Sequence, residues 1–596
     1  MALTDLSITI GGDAGQGVES SGSTFSLASL RSGWNVFSIQ DYRSRIRGGH
    51  NFYQIRVASR EIRSHSDPVH LLLALTKESI DIHLANLAPG AGILHDDSLR
   101  PDEEAARAHG AHFFPMPFTE IATRHGNRVM TNTAAVGAGA GLLGLSLDAL
   151  KSVIAERFSA KGDKVVESNL AVAEEAYNLA LKRYQGTFQH SLNGRVPPRS
   201  ERRSRTPGPM LISGNEAFAL GAALGGCRFV SAYPMTPATT IFEWLVKREK
   251  QLGIVTKHAE DEIAAICMAI GAGYAGARAL VPTSGGGFSL MVEALGMAGM
   301  VEVPVVIAEV QRGGPSTGLP TRTEQGDLLF ALHASQGEFP RIVLAPGTHE
   351  EYFEAGWRAF NLAEKYQCPV IVLADQFLAA SLSTIAWEAL SFQSVRRDRG
   401  QLLTGQELDA FDNGEYRRFK LTPTGISPRA LPGHPKAVYT VVTDEHDEEG
   451  HITEAIDNRV AQMDKRMRKL EEARKEMRGP KRYGPKDAEL TLICWGSLAG
   501  PAVESLPLLE AQGVRANVLH FSDIWPFPVQ EAEKALQAVK RAVAVEQNYT
   551  GQFARLLRMC TGFSVSRIIR KFDGRPFSPQ QIATACLEEV AQHARS

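Results

Sequence analysis

Apolar and polar residues alternate at the start of the chain, with Leu6, Ile8 and Ile10 apolar and Ser7 and Thr9 between them; a period of two predicts a half-buried strand. The stretch Gly11-Gly12-Asp13-Ala14-Gly15-Gln16-Gly17 breaks the alternation and predicts a turn into a helix near Val18. Strand and helix patterns continue to about Tyr184, which gives an α/β domain over residues 1–192. From 193 to 209 the chain mixes Pro, Arg and Ser without apolar periodicity, the composition of a linker. Over residues 210–395 unbroken apolar runs, Val303 to Ala308 and Pro369 to Ala374, alternate with helical patterns, as in a parallel sheet covered on both faces. Residues 396–485 are rich in turns and charge and end in a charged helix from Ile456 to Arg478, so they form a connecting excursion. A last α/β unit, 486–596, contains the strand and turn Leu490 to Ser497 and a further strand at Arg541 to Val545. The expected fold class is α/β with several doubly wound domains.

Composition narrows the function classes. A chain of 596 residues holds about three to four domains. A net charge of −2 offers no global field for nucleic acid or a membrane surface. No apolar run approaches the roughly 20 residues that span a bilayer, and the N-terminus lacks a charged region followed by an apolar core, so a cytoplasmic location is expected. The six cysteines, Cys227, Cys267, Cys368, Cys494, Cys560 and Cys586, include no CxxC pair. Iron–sulfur clusters take about four thiolates with local clustering, so buried reduced thiols are the expected state and no cluster or metal site is expected on this chain.

Several short segments carry candidate chemistry. In Tyr233-Pro234-Met235-Thr236-Pro237, Thr236 is placed to cap a helix whose first turn takes Pro237, and a helix N-terminus attracts a carboxylate. A well-capped helix explains the same residues. Glu262 opens a second helix rich in small residues, where Glu260 or Asp261 can serve as well. Arg312 follows the Val303 to Val310 strand at the end where open α/β sheets bind ligands, and its guanidinium matches a carboxylate, although a surface salt bridge is the simpler use. Gly11 to Gly17 fits either a phosphate cradle or tight packing, and lacks the GxGxxG spacing. The Asp444 to His451 run fits neither EF-hand nor HExxH spacing and reads as a charged loop.

Taken together, Tyr233 to Pro237, Glu260-Asp261-Glu262, Thr283-Ser284-Gly285-Gly286-Gly287 and Gln311-Arg312-Gly313-Gly314-Pro315-Ser316-Thr317-Gly318, with Gly11 to Gly17 at the start, resemble the 2-oxoacid:ferredoxin oxidoreductases in order and rough spacing. The resemblance implies an N-terminal gamma module, a thiamine-enzyme pyrimidine-type domain and a transketolase C-terminal-like domain. It assigns Glu262 to activation of thiamine diphosphate, with Tyr233, Pro234, Ser284, Gly285 and Gly286 around the cofactor. Thr236 and Arg312 would hold the 2-oxoacid carboxylate, with Thr321 lining the cavity. Arg45, Arg47 or His50 would meet the second carboxylate of 2-oxoglutarate, and a solvated basic face is the other reading of that run. The chain lacks GDG followed by Asn, so a beta subunit is expected to supply the diphosphate site, Mg²⁺ and a 4Fe–4S cluster. Coenzyme A is the implied co-substrate, ferredoxin the acceptor, and an alpha-beta pair of pairs the assembly. Pyruvate or a branched-chain acid on the same machinery, a non-redox thiamine transferase and a non-catalytic scaffold are the alternatives.

Overall fold

The computed structural model describes residues 4–43, 48–192, 208–412 and 414–593. Arg45, Arg47 and residues 193–207 of the expected linker lie outside the described residues. The chain divides into two units, one of residues 1–212 with short returns at 381–387 and 578–580, the other of the remainder.

In the first unit an eight-stranded mixed sheet is centred on Asp5–Asp13, which pairs antiparallel with His50–Ala58 and parallel with Val69–Ala74. The alternation read from the sequence sets the register, with Leu6 opposite Val57 and Ile8 opposite Ile55, all buried. The strand runs further than the glycines suggested: Gly11 and Gly12 still pair with Phe52 and Asn51. They are glycine because side chains close over them, a Cβ on Gly11 falling 2.9 Å from Ser79 Cβ. The turn proper is Ala14 to Gly17, with Gly15 at φ 91° and Gly17 at φ 75°, the left-handed region.

In the second unit the strands Cys227–Ala232, Val255–His258, Arg278–Thr283, Val305–Gln311, Ile342–Leu344 and Pro369–Asp375 form a parallel sheet. A seventh strand, Asp523–Trp525, comes from the C-terminal segment and pairs antiparallel with Ile342–Leu344. Alternate residues sort to two apolar layers. Val281, Val305, Ile307 and Leu373 pack with the helices Glu262–Tyr274 and Gly285–Met300. Leu280, Val306, Ala308 and Val372 pack on the other face with Gly214–Leu224 and His349–Tyr366. A five-stranded sheet, mostly parallel, follows in the C-terminal segment.

The excursion is held by buried charge. Its helix runs Ile456–Arg474, shorter than the pattern suggested because Glu476 and Met477 turn back on the last carbonyls. Lys465 donates to Glu302 at 2.6 Å and Lys469 donates to its other oxygen, with all three side chains at most 1 % exposed. Glu364 likewise receives Arg278, Arg399 and Arg429. In the Asp444 to His451 run, read as a charged loop, Glu445 binds Arg459 and Arg466 while Asp447 accepts the Glu449 and His451 N–H groups.

Candidate active site

The parallel strands of the second unit bring four segments to their C-terminal ends: Tyr233–Pro237 after Cys227–Ala232, Glu262 after Val255–His258, Ser284–Gly287 after Arg278–Thr283, and Arg312 after Val305–Gln311. Open α/β sheets place ligands at this edge.

The Thr236 segment differs from expectation. The helix is Thr239–Val246 with Ala238 at its N-cap and no side-chain cap, and the Thr236–Pro237 peptide is cis. Ala238 N–H closes a tight turn on the Met235 carbonyl at 2.9 Å, and Asn215 donates to the Pro237 carbonyl at 2.9 Å. The turn takes the two residues that a cap and first turn would need. It also aims the Thr236 carbonyl at Arg312, whose Nη1 donates to it at 2.7 Å. Arg312 is half-buried, and burial alone lowers it from its ordinary value. Thr321 is buried in the return leg of the same loop, next to Arg322, whose carbonyl accepts Gly313 N–H at 3.2 Å.

Of the three consecutive acids, Glu260 and Asp261 are exposed and Glu262 is 4 % exposed. Asp261 is the N-cap, its carboxylate accepting Ala264 N–H at 2.7 Å. Glu262 therefore alone presents a carboxyl to the interior, beside the glycine start of the Gly285–Met300 helix. A Cβ on Gly287 would stand 3.0 Å from Glu262 Oε1 and collide with Thr283 Oγ1. Ser284 holds the N-cap with its buried hydroxyl unpartnered, and Gly286 is exposed. Tyr233 is exposed at the same edge.

Three further acids lie close by and were not anticipated from the sequence. Glu309 is fully buried, and burial with Asp327 beside it pushes it well above the usual carboxylate range. Burial raises Asp327 to about 6 and Glu324 to about 7. An acid inside an otherwise apolar strand, Ala308-Glu309-Val310, was the available signal.

The first unit has its own cavity, about 950 Å³, opening on Gly15, Gln16 and Gly17 and bordered by His125, Arg128, Arg157, Lys161 and Lys164. Arg157 donates to Ser23 and Thr24 at 2.8 and 3.0 Å. His50 is elsewhere in the unit, buried, its Nε2 2.9 Å from His83 Nε2.

Comparison with known proteins bears on the family. Residues 220–465 match the thiamine-diphosphate-binding family model of pyruvate flavodoxin/ferredoxin oxidoreductases, residues 7–179 the pyruvate ferredoxin/flavodoxin oxidoreductase model, and residues 488–582 core domain II of pyruvate:ferredoxin oxidoreductase. A 2-oxoacid:ferredoxin oxidoreductase subunit alpha from a Sulfolobus species is 35% identical over 98% of this chain and 97% of its own. The 2-oxoglutarate oxidoreductase subunit KorA of Mycobacterium tuberculosis is 30% identical over 93% of this chain and 87% of its own. The solved structure of the Magnetococcus marinus 2-oxoglutarate:ferredoxin oxidoreductase, with 2-oxoglutarate, coenzyme A and succinyl-CoA bound, is 32% identical with a TM-score of 0.89, covering 98% of this chain and 100% of that one. This chain belongs to the 2-oxoacid:ferredoxin oxidoreductases, thiamine-diphosphate-dependent enzymes of several subunits, as a subunit of the alpha type.

Proposed function

We propose that the chain is the alpha subunit of a 2-oxoglutarate:ferredoxin oxidoreductase. The reaction is coenzyme-A-dependent oxidative decarboxylation of 2-oxoglutarate to succinyl-CoA and CO₂ with reduction of ferredoxin, reversible under strong reduction. The observation that carries this reading is Arg312, a half-buried guanidinium steadied by the Thr236 carbonyl at the same sheet edge as Glu262. A relative and a solved neighbour named for 2-oxoglutarate support the substrate, while the Sulfolobus relative carries only the general 2-oxoacid name.

The residues at this edge suit the thiamine group, because a buried carboxyl, an orphan Ser284 hydroxyl and an open Gly286 leave a polar, shallow bed. Tyr233, Pro234, Ser284, Gly285 and Gly286 would border it, and Glu262 would hold a proton at its ring nitrogen. When bound, thiamine diphosphate supplies a carbon nucleophile for the keto group and an electron sink for decarboxylation. Arg312 and Thr236 orient the acid's carboxylate, with Thr321 behind them. Arg45, Arg47 or His50 is the proposed contact for the second carboxylate, His50 having its Nε2 2.9 Å from His83 Nε2. The cationic cavity at Gly15 to Gly17 suits the phosphates of coenzyme A.

A beta subunit is proposed to bring the diphosphate site, Mg²⁺ and a 4Fe–4S cluster. Its docking is supported by the exposed apolar residues Ile263, Met268 and Leu290 on the two helices that border the site. The test is anaerobic co-purification with that subunit and measurement of coenzyme-A-dependent viologen reduction. A strong preference for 2-oxoglutarate over pyruvate is expected; the reverse preference would keep the family and discard the substrate. Glu262→Gln should abolish turnover while the complex still assembles, and near-normal turnover would remove Glu262 from the chemistry.

A further inference from the structure

Glu309 faces the same side of the sheet as Val305 and Ile307, toward the helices Glu262–Tyr274 and Gly285–Met300. Its register neighbours are Thr283 and Leu373, which bring no charge. Among the described residues neither carboxyl oxygen meets a hydrogen-bond partner. The acid beside it is Asp327, whose N–H donates to Gln311 Oε1, two residues further along the same strand on the same face. Asp327 in turn occupies the space a side chain on Gly285 would need. Its backbone is fixed, because Asp327 N–H donates to Gln311 Oε1 at 2.9 Å and Gln552 donates to the Gly326 carbonyl at 2.6 Å. The two carboxyls therefore cannot simply move apart.

Other titratable groups stand near this side. Glu324, in the Asp327 loop, accepts the Gly314 N–H and is itself raised by burial and by Asp327. Asp375 is satisfied by Ser497, Leu378 N–H and Gln325. Glu262 lies at Gly287, and Arg312 is turned to the Thr236 carbonyl. A carboxyl buried with neither oxygen partnered is held in its protonated form, and the neighbouring Asp327 carboxyl is the acceptor at hand for that proton.

We propose that Glu309 and Asp327 share one proton in an acid–acid hydrogen bond, and that this bonded pair is the seat of the glycine start of the Gly285–Met300 helix, positioning Ser284 to Gly287 beside Glu262. Loss of the proton leaves two facing anions, unseats Asp327 from Gly285 and disturbs the bed next to Glu262. Glu309→Gln imitates the protonated state permanently, since its amide donates to Asp327 at any pH. Asp327→Asn does the opposite, donating to Glu309 and letting it ionise.

The test uses the full chain in complex with its partner subunit. Infrared difference spectra at neutral pH should contain a protonated-carboxyl C=O band that disappears in both variants. The melting temperature of the wild type should fall relative to Glu309→Gln as pH rises. Turnover, which rests on the function proposed above, should lose its alkaline limb in Glu309→Gln or shift it upward by about one pH unit or more. A spectrum unchanged by either substitution, or a melting difference independent of pH, would overturn the shared proton whatever the substrate proves to be. An unchanged alkaline limb alongside the expected band would overturn the positioning role.

Discussion

Glu262 is one of three adjacent acids, and only burial tells them apart. The sequence placed all three at a helix start, where each suits the dipole; the fold exposes two, spends Asp261 on the cap and turns Glu262 inward. Arg312 was legible because a basic residue directly after an apolar parallel strand has few places to go other than the ligand edge. Its tie to the Thr236 carbonyl was not legible, because it depends on the turn at Met235 to Ala238 replacing a capped helix. Replacing Arg312 by Ala would remove the charged hydrogen-bond donor proposed for the substrate carboxylate, and about 1.5–3 kcal/mol, roughly 10- to 150-fold in kcat/KM, should be lost. Lys should recover only part of this, because it cannot present two parallel donors. Steady-state kinetics on the purified complex would measure both. The neighbouring acids predict a pH effect on stability. Asp327 and Glu324 are raised to about 6 and about 7, so the folded state binds more protons than the unfolded one above the ordinary carboxylate range. Their contribution is present in acid and is lost as pH rises through those values. Thermal melts from pH 5 to 8 should fall in Glu324→Gln less than in the wild type.

The Ile456–Arg474 helix shows what pattern reading misses at the scale of an element. Its charge placed it at the end of a connecting excursion, and its buried stripe is Gln462, Lys465, Arg466, Lys469, Leu470 and Ala473, spaced three and four apart. The period is helical, but half of the residues on the inward face are cationic, and an apolar-face search passes over them. The long stems pack while the Lys465 and Lys469 heads reach Glu302, which the two ammonium groups hold well below the usual carboxylate range, and the Arg466 head reaches Glu445. Glu302→Gln would leave two buried cations without their anion, and a loss of about 3–5 kcal/mol is expected. Chemical denaturation should register it, and Lys465→Met combined with Glu302→Gln should recover part of the loss by removing one orphan charge. The buried parallel strands were far easier to read, because an unbroken apolar run has only an interior place to fold into.

At the scale of the whole molecule, composition and run length set the charged excursion apart as a segment of its own, whereas the fold holds it inside the second unit with the strands on either side. They could not reveal that the C-terminal segment completes another domain's sheet. The strand Asp523–Trp525 is too short to announce itself, and its partner Ile342–Leu344 lies far earlier in the chain. Asp523 also takes a two-pronged bond from Arg358, at 2.7 and 2.6 Å, and Gln325 reaches the Trp495 carbonyl at 3.2 Å. A chain truncated after residue 485 should therefore aggregate or melt without cooperativity despite retaining the site residues of the second unit, and co-expressing residues 486–596 should restore a single transition; soluble yield and calorimetry would decide this. The same short strand has a meaning during biosynthesis. At roughly 5–20 residues per second, the ribosome needs on the order of 10–40 s to travel from Leu344 to Asp523. Throughout that interval the nascent sheet has an open edge, and whatever shields it, a chaperone or the excursion itself, must yield its place when Trp525 emerges.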